Sequence, residues 1–158
     1  MGFFSRIFGL EQDVLSAAPA RPDAPDDLAL DASSAAAVLA ELDIDTAIAA
    51  HENWKLRLQN YLGGASAEDL QPEVVCLDDR CDLGKWLHGA GKMRLGAYPA
   101  FSVLVARHQY FHQQAASVVA QARAGDHEKA AQTLNGSYRY ASSQVILLLK
   151  ELKRGLGR

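Results

Sequence analysis

Apolar residues in this chain recur at steps of three and four over long stretches, and nowhere do they alternate over the length that a sheet strand needs. Leu39, Leu42, Ile44, Ala47, Ile48, Trp54, Leu58 and Leu62 trace one such stripe from Ala35 to a stop at Gly63-Gly64, with Asp43 or Asp45 able to cap a second helix start inside it. After a loop holding Pro72, a shorter helical stretch runs from about Arg80 to His88 and closes at Gly89 and Gly91. Beyond Pro99, the residues Phe101, Leu104, Val105, His108, Phe111, His112, Ala115, Val118 and Val119 form one face that runs to Gly125. Asp126 then caps a last helix through Leu152, carrying Leu134, Tyr138, Ala141, Val145, Leu148 and Leu149. Val74-Val75-Cys76-Leu77 is the only strand-like string, and it is too short and isolated to build a sheet. The expectation is an all-α fold, an antiparallel four-helix bundle of three long helices and one short.

Residues 1–34 read differently. Phe3, Phe4, Ile7, Phe8 and Leu10 surround one cation, Arg6, in an apolar stripe too short to hold a helix alone. Such a segment can fold back, dock on a partner or touch a membrane weakly, one cation being too few for strong binding to anionic lipid. From Ser16 to Ser34 the prolines Pro19, Pro22 and Pro25 alternate with acidic and small residues, the pattern of a linker, so the expected folded unit is residues 35–158. Sixteen Lys and Arg against nineteen Asp and Glu give a net charge of −3, which offers no electrostatic footprint for nucleic acid. No run approaches the roughly 20 apolar residues that span a bilayer. Two cysteines cannot form a disulfide scaffold, and the N-terminus lacks the features of a secretory signal, so the expected compartment is the reducing cytoplasm.

The chemistry lies in four residues. His108 and His112 stand four apart on a helix, so their imidazoles project from one otherwise apolar face at the spacing that lets two histidines share a metal. Taken alone, that pair is a weak signal, since histidines at this spacing are more often hydrogen-bonded core or surface residues. No Glu follows His108, which separates the pair from the His-Glu-x-x-His order of zinc proteases. His51 falls on the buried stripe of the first helix, in phase with Ile44 and Ile48, where a core histidine is the simpler reading. Cys81 begins the short helix, where the dipole and free amides are expected to lower its pKa, although a small buried hydrophobe would also suit the position. Together, one Cys and three His supply the nitrogen and sulfur donors that fill a tetrahedral Zn2+ shell, contributed by three helices.

His51-x-x-Trp54-Lys55, Cys81-x-Leu83-Gly84-Lys85-Trp86-Leu87 and His108-x-x-x-His112, at intervals of 30, 27 and 4 residues between the four donors, resemble the chemoreceptor zinc-binding domain family. The resemblance covers about residues 40–155. It implies tight zinc binding by the one-Cys, three-His set within a helical bundle, and pairing of that bundle with a second copy as a homodimer. It also implies a cytoplasmic bacterial sensory module that works with chemoreceptors or diguanylate cyclases in chemotaxis or cyclic-di-GMP signalling. The signal would be zinc itself, or an oxidant such as hypochlorous acid acting on the zinc-bound thiolate of Cys81. The chain departs from that setting in carrying neither a chemoreceptor's signalling coiled coil nor a cyclase domain.

The remaining candidates divide by position. Trp54 and Trp86 suit packing, Lys85 a surface position, and His127 solvent. His88, two turns beyond Cys81, is the one rival ligand, and Cys76 a second-choice ligand or resolving thiol, its simpler reading being a small buried residue. Asp78, Asp79 and Asp82 cluster around Cys81, where they can accept from imidazole N–H groups or form a solvated acidic loop. Three functions compete: a sensory module without turnover, a structural module stapled by zinc, and a zinc hydrolase, which would need an open coordination position and a general base.

Overall fold

The computed structural model describes residues 30–157, and every regular element in them is helical. The apolar segment of residues 1–10 and most of the proline-rich linker lie outside the described residues. Helix α1 spans Ala32–Glu41, α2 Ile44–Leu62, α3 Pro72–Val75, α4 Asp82–His88, α5 Ala90–Leu95 and α6 Pro99–Arg123. Helix α7 (His127–Thr133) passes through a π-helical turn at Leu134–Tyr138 into α8 (Arg139–Leu156).

The first long stripe divides where the alternative cap foresaw it. Leu42 is extended, and the Asp43 carboxylate accepts the backbone N–H of Thr46 at 2.9 Å, closing one helix and opening the next. Helix α1 also starts earlier than Ala35, because Asp31 caps it by accepting the N–H of Ser34 at 2.8 Å and the nearest proline is Pro25. The strand-like string falls partly in α3, a single turn opened by Pro72 at its first position. The stretch expected from about Arg80 begins two residues later, at Asp82, with Cys81 as its cap, and α5 follows across the glycines that were expected to end it. The helix expected from Asp126 to Leu152 is one continuous helical run to Leu156, with the π turn inside it. Gly64 (φ 69°) and Gly125 (φ 82°) supply the left-handed residues that end α2 and α6.

Helix α6 is the centre of the packing, with α3 across one side and α7, the π turn and α8 on another, while α8 also packs along α2. Leu58 of α2, Leu104 and Phe111 of α6, and Leu149 of α8 are fully buried where these helices meet. Ion pairs fix the periphery: Lys153 Nζ lies 2.6 Å from an Asp45 oxygen between α8 and α2, and Arg94 Nε 2.7 Å from Glu41 between α5 and α1. The outcome for the site is that α2, α6 and the start of α4 converge on one interior point.

Candidate metal centre

Three buried imidazoles interrupt the apolar interior. His51 is 2% exposed, His108 0% and His112 4%, and no other ionisable side chain is as buried among the described residues except Tyr138. Helix periodicity places His51 on the inward stripe of α2, and the four-residue step in α6 sets His108 edge-on to His112 with ring centroids 4.7 Å apart. The His51 ring lies 5.2 Å from that of His108 and 4.9 Å from Phe111, a fully buried residue that also touches His112.

Cys81 completes the cluster through the local structure of the Cys-x-Leu-Gly-Lys-Trp string. As N-cap of α4 it turns its Sγ back over the first turn, where it accepts the N–H of Gly84 at 3.3 Å. Leu83, Trp86 and Leu87 are buried side chains of this helix, and Trp86 packs edge-on against Phe101 of α6. Gly84 has to be glycine, since a Cβ there would lie 1.7 Å from the carbonyl oxygen of Asp78. The segment before α4 is thus pressed onto the helix start, which fixes Cys81 against α6.

The Cys81 Sγ lies 3.2 Å from His108 Nε2 and 3.7 Å from His112 Nε2, and one donor atom from each of His51, Cys81, His108 and His112 falls within 4.8 Å of all the others. The sulfur-to-nitrogen edge of a tetrahedral zinc site is about 3.6 Å, from bonds of about 2.3 and 2.05 Å. The two sulfur edges to His108 and His112 lie within about 0.4 Å of it, and separations as long as 4.8 Å have to contract by about 1 Å. Two imidazoles are oriented through their other nitrogens: His51 Nδ1 donates to the Ala47 carbonyl at 2.7 Å and His112 Nδ1 to the Val75 carbonyl at 2.9 Å. That leaves their Nε2 lone pairs facing inward, and His51 Nε2 is a buried atom with no hydrogen-bond partner. An unpartnered inward lone pair in a nitrogen and sulfur donor set fits Zn2+.

Burial sets the protonation of the cluster. His51 is pushed down to about 4 by desolvation against the opposing effect of the Ala47 carbonyl, and desolvation also depresses His108 and His112. All three are neutral at pH 7, the state a cation requires. For Cys81 the expectation from its helix start is corrected: desolvation raises the thiol, outweighing the N–H bonds from Gly84 and Leu83 that act the other way. A cation in the cluster would supply the charge that lowers it.

The other candidates are placed elsewhere. His88 is not in the cluster; its Nε2 donates to Asp78 Oδ2 at 2.9 Å, and its side chain is exposed. Cys76 is half-buried, with its Sγ donating to the Glu73 carbonyl at 3.3 Å. Asp79 and Asp82 face solvent, while Asp78 is the most covered of the three, with Oδ2 3.9 Å from His108 Nδ1. His127 and Lys85 are exposed, and Trp54 is half-buried beneath the Arg57 guanidinium, 3.9 Å from its ring. Sequence reasoning missed the Ala47 and Val75 carbonyls. The first could have been found as the residue one turn before His51; the second came from a string that carried no helical signal.

Residues 51–119 match the family model of the chemoreceptor zinc-binding domain. No curated protein and no solved structure matches the chain.

Proposed function

We propose that this chain, which carries a chemoreceptor zinc-binding domain over the segment from His51 to Val119, is a zinc-dependent sensory module whose function is binding and signalling without turnover. The ligands are His51, Cys81, His108 and His112, and the observation that carries the assignment is the convergence of their four donor atoms within 4.8 Å in the interior. When bound, zinc supplies a charge that holds three helices at one point, with a formal +1 left after one thiolate and three neutral imidazoles.

Cys81 is the responsive residue. It is the only soft, oxidisable donor and the only one of the four that is not fully buried, and it lines two clefts of about 840 and 440 Å³. Hypochlorous acid can reach it there: the thiolate attacks the chlorine-bearing oxidant, giving the sulfenic acid and chloride, and the one anionic donor is lost. The three imidazoles are then left buried without their partner, which biases the packing of α2, α4 and α6. A change in zinc supply acts on the same equilibrium. The folded unit begins at α1, with Asp31 as its cap, and is an antiparallel four-helix bundle that pairs as a cytoplasmic homodimer and passes its state to a chemoreceptor or diguanylate cyclase system, with residues 1–10 available to dock on that partner or, weakly, on a membrane.

The nearly complete burial of the imidazoles favours a second reading, in which zinc only staples the bundle. Zinc content and chelator competition separate the outcomes. The purified chain should hold one zinc per copy, Cys81→Ala should weaken binding at least tenfold and Cys76→Ala should leave it unchanged, and hypochlorous acid should release zinc from the Cys76→Ala protein as from the wild type. Full affinity in Cys81→Ala would refute the ligand set. Oxidant-driven zinc release that alters stability but neither the oligomeric state nor partner capture would select the staple.

A further inference from the structure

The three imidazoles are not equally supported. His51 and His112 each donate Nδ1–H to a backbone carbonyl, whereas His108 Nδ1 is buried with no hydrogen-bond partner among the described residues. If Nε2 of His108 is to be a ligand, Nδ1 must carry the proton, and a buried N–H without an acceptor is costly. Metal-ligating histidines almost always donate that second N–H to a carboxylate, carbonyl or water.

The nearest carboxylate is Asp78. Its Oδ2 stands 3.9 Å from His108 Nδ1, about 1 Å beyond a hydrogen bond, and its side chain is only 16% exposed. Both halves of the residue are fixed: the backbone carbonyl lies where only Gly84 leaves room, and the carboxylate accepts from His88 Nε2 at 2.9 Å. His88 belongs to the last turn of α4, the helix that Cys81 caps, so the carboxylate is held by the same short helix that presents the sulfur. The contraction needed at the cluster is of the same size as the gap to be closed.

Resting on the ligand assignment above, we propose that Asp78 is a positioning residue of the centre, its carboxylate accepting Nδ1–H of His108, and that His88 is the surface clamp that aims it. A hydrogen-bonded path then runs from an exposed imidazole through Asp78 to a ligand, and the carboxylate's negative charge offsets the formal +1 of the bound site.

The test uses the full chain, zinc alone as the probe, and competition with a chromogenic chelator. Asp78→Ala should weaken zinc binding about 10–100-fold, His88→Ala by less, and Asp78→Asn, which keeps an acceptor oxygen, should recover part of the loss. Imidazole N–H resonances of the zinc-loaded protein give a readout that a loss of stability would not move selectively: the Nδ1 proton of His108 should shift or exchange faster in Asp78→Ala, while those of His51 and His112 stay in place. Affinity within twofold of wild type in Asp78→Ala, or an equal loss in both Asp78 variants with the His108 proton undisturbed, would overturn the proposal. Unweakened binding in His108→Ala would overturn the ligand assignment with it, and so marks that failure apart.

Discussion

Gly84→Ala isolates the contact on which the geometry of the centre depends. On an exposed helix the change is favourable by about 1 kcal/mol, because Ala loses less backbone entropy than Gly. Here the new Cβ would sit 1.7 Å from the Asp78 carbonyl oxygen, 2.8 Å from its carbon and 3.1 Å from Asp79 Cα. An ordinary contact needs about 3.4 Å, so the segment has to withdraw by roughly 1.7 Å, and what must yield is backbone, with no side chain free to rotate away. Overpacking of this kind costs about 1–3 kcal/mol, and a clash with main chain belongs at the upper end. Subtracting the propensity gain leaves a net destabilisation of about 2 kcal/mol, which for a domain of this size lowers the melting temperature by about 6–10 °C. The displacement also separates Asp78 and the Cys81 cap from α6, so zinc affinity should fall about tenfold or more. Denaturant unfolding of the metal-free chain and chelator competition on the loaded one read the two effects separately. A Gly84→Ala protein that is as stable as wild type or more so, with unaltered zinc affinity, would refute the close approach as a constraint.

Two further outcomes follow from the buried rings. Because His51 titrates at about 4 when folded and near 6.5 when unfolded, the unfolded chain binds more protons between those values, so metal-free stability is complete above pH 6.5 and is lost as pH falls toward 4. His51 alone removes about 2 kcal/mol by pH 5, and the depressed His108 and His112 add to it, measured as a fall in the urea midpoint in the presence of a chelator; a midpoint that does not move from pH 7 to pH 5 would contradict the buried neutral cluster. Phe111 is fully buried against His51, His112 and Tyr138, so Phe111→Ala should cost about 3–5 kcal/mol and weaken zinc binding by freeing the rings, whereas Phe111→Leu should cost under about 1.5 kcal/mol. Thermal melts and chelator competition check both, and a Phe111→Ala cost below about 1 kcal/mol would sink the packing argument.

The helices were legible because long apolar stripes leave few alternatives, and their boundaries were legible where a capping group stood in the sequence. Asp43, Asp126, Gly63-Gly64 and Gly125 all mark observed ends. What periodicity could not supply were the elements too short to show a period. Helix α3 covers four residues and α5 six, and each is held by its neighbours: α3 by Pro72 and the packing of Val75 on α6, α5 by its succession to α4 and the Arg94–Glu41 pair. The π turn at Leu134–Tyr138 was equally invisible, because one residue of slippage in a helix leaves the apolar stripe almost intact.

For the centre, sequence spacing gave which residues meet but not how the chain aims them. His108 and His112 follow from a four-residue step, and His51 from its phase in α2, yet nothing in a helical stripe says that Val75, in a strand-like string, returns its carbonyl to His112 Nδ1. The thiol is the sharper case. A helix-start position argues for a lowered pKa and a buried one for a raised pKa, and the sequence contains only the first argument, since burial depends on α6 closing over the α4 start. The metal-free state therefore keeps Cys81 protonated as well as the imidazoles neutral, so cation binding must release the thiol proton while the imidazoles release none. Zinc affinity should then rise about tenfold per pH unit between pH 7 and 8, with a slope near one proton per zinc that vanishes in Cys81→Ala. A slope of two or more would require a charged imidazole in the metal-free protein and would contradict the neutral cluster that burial imposes.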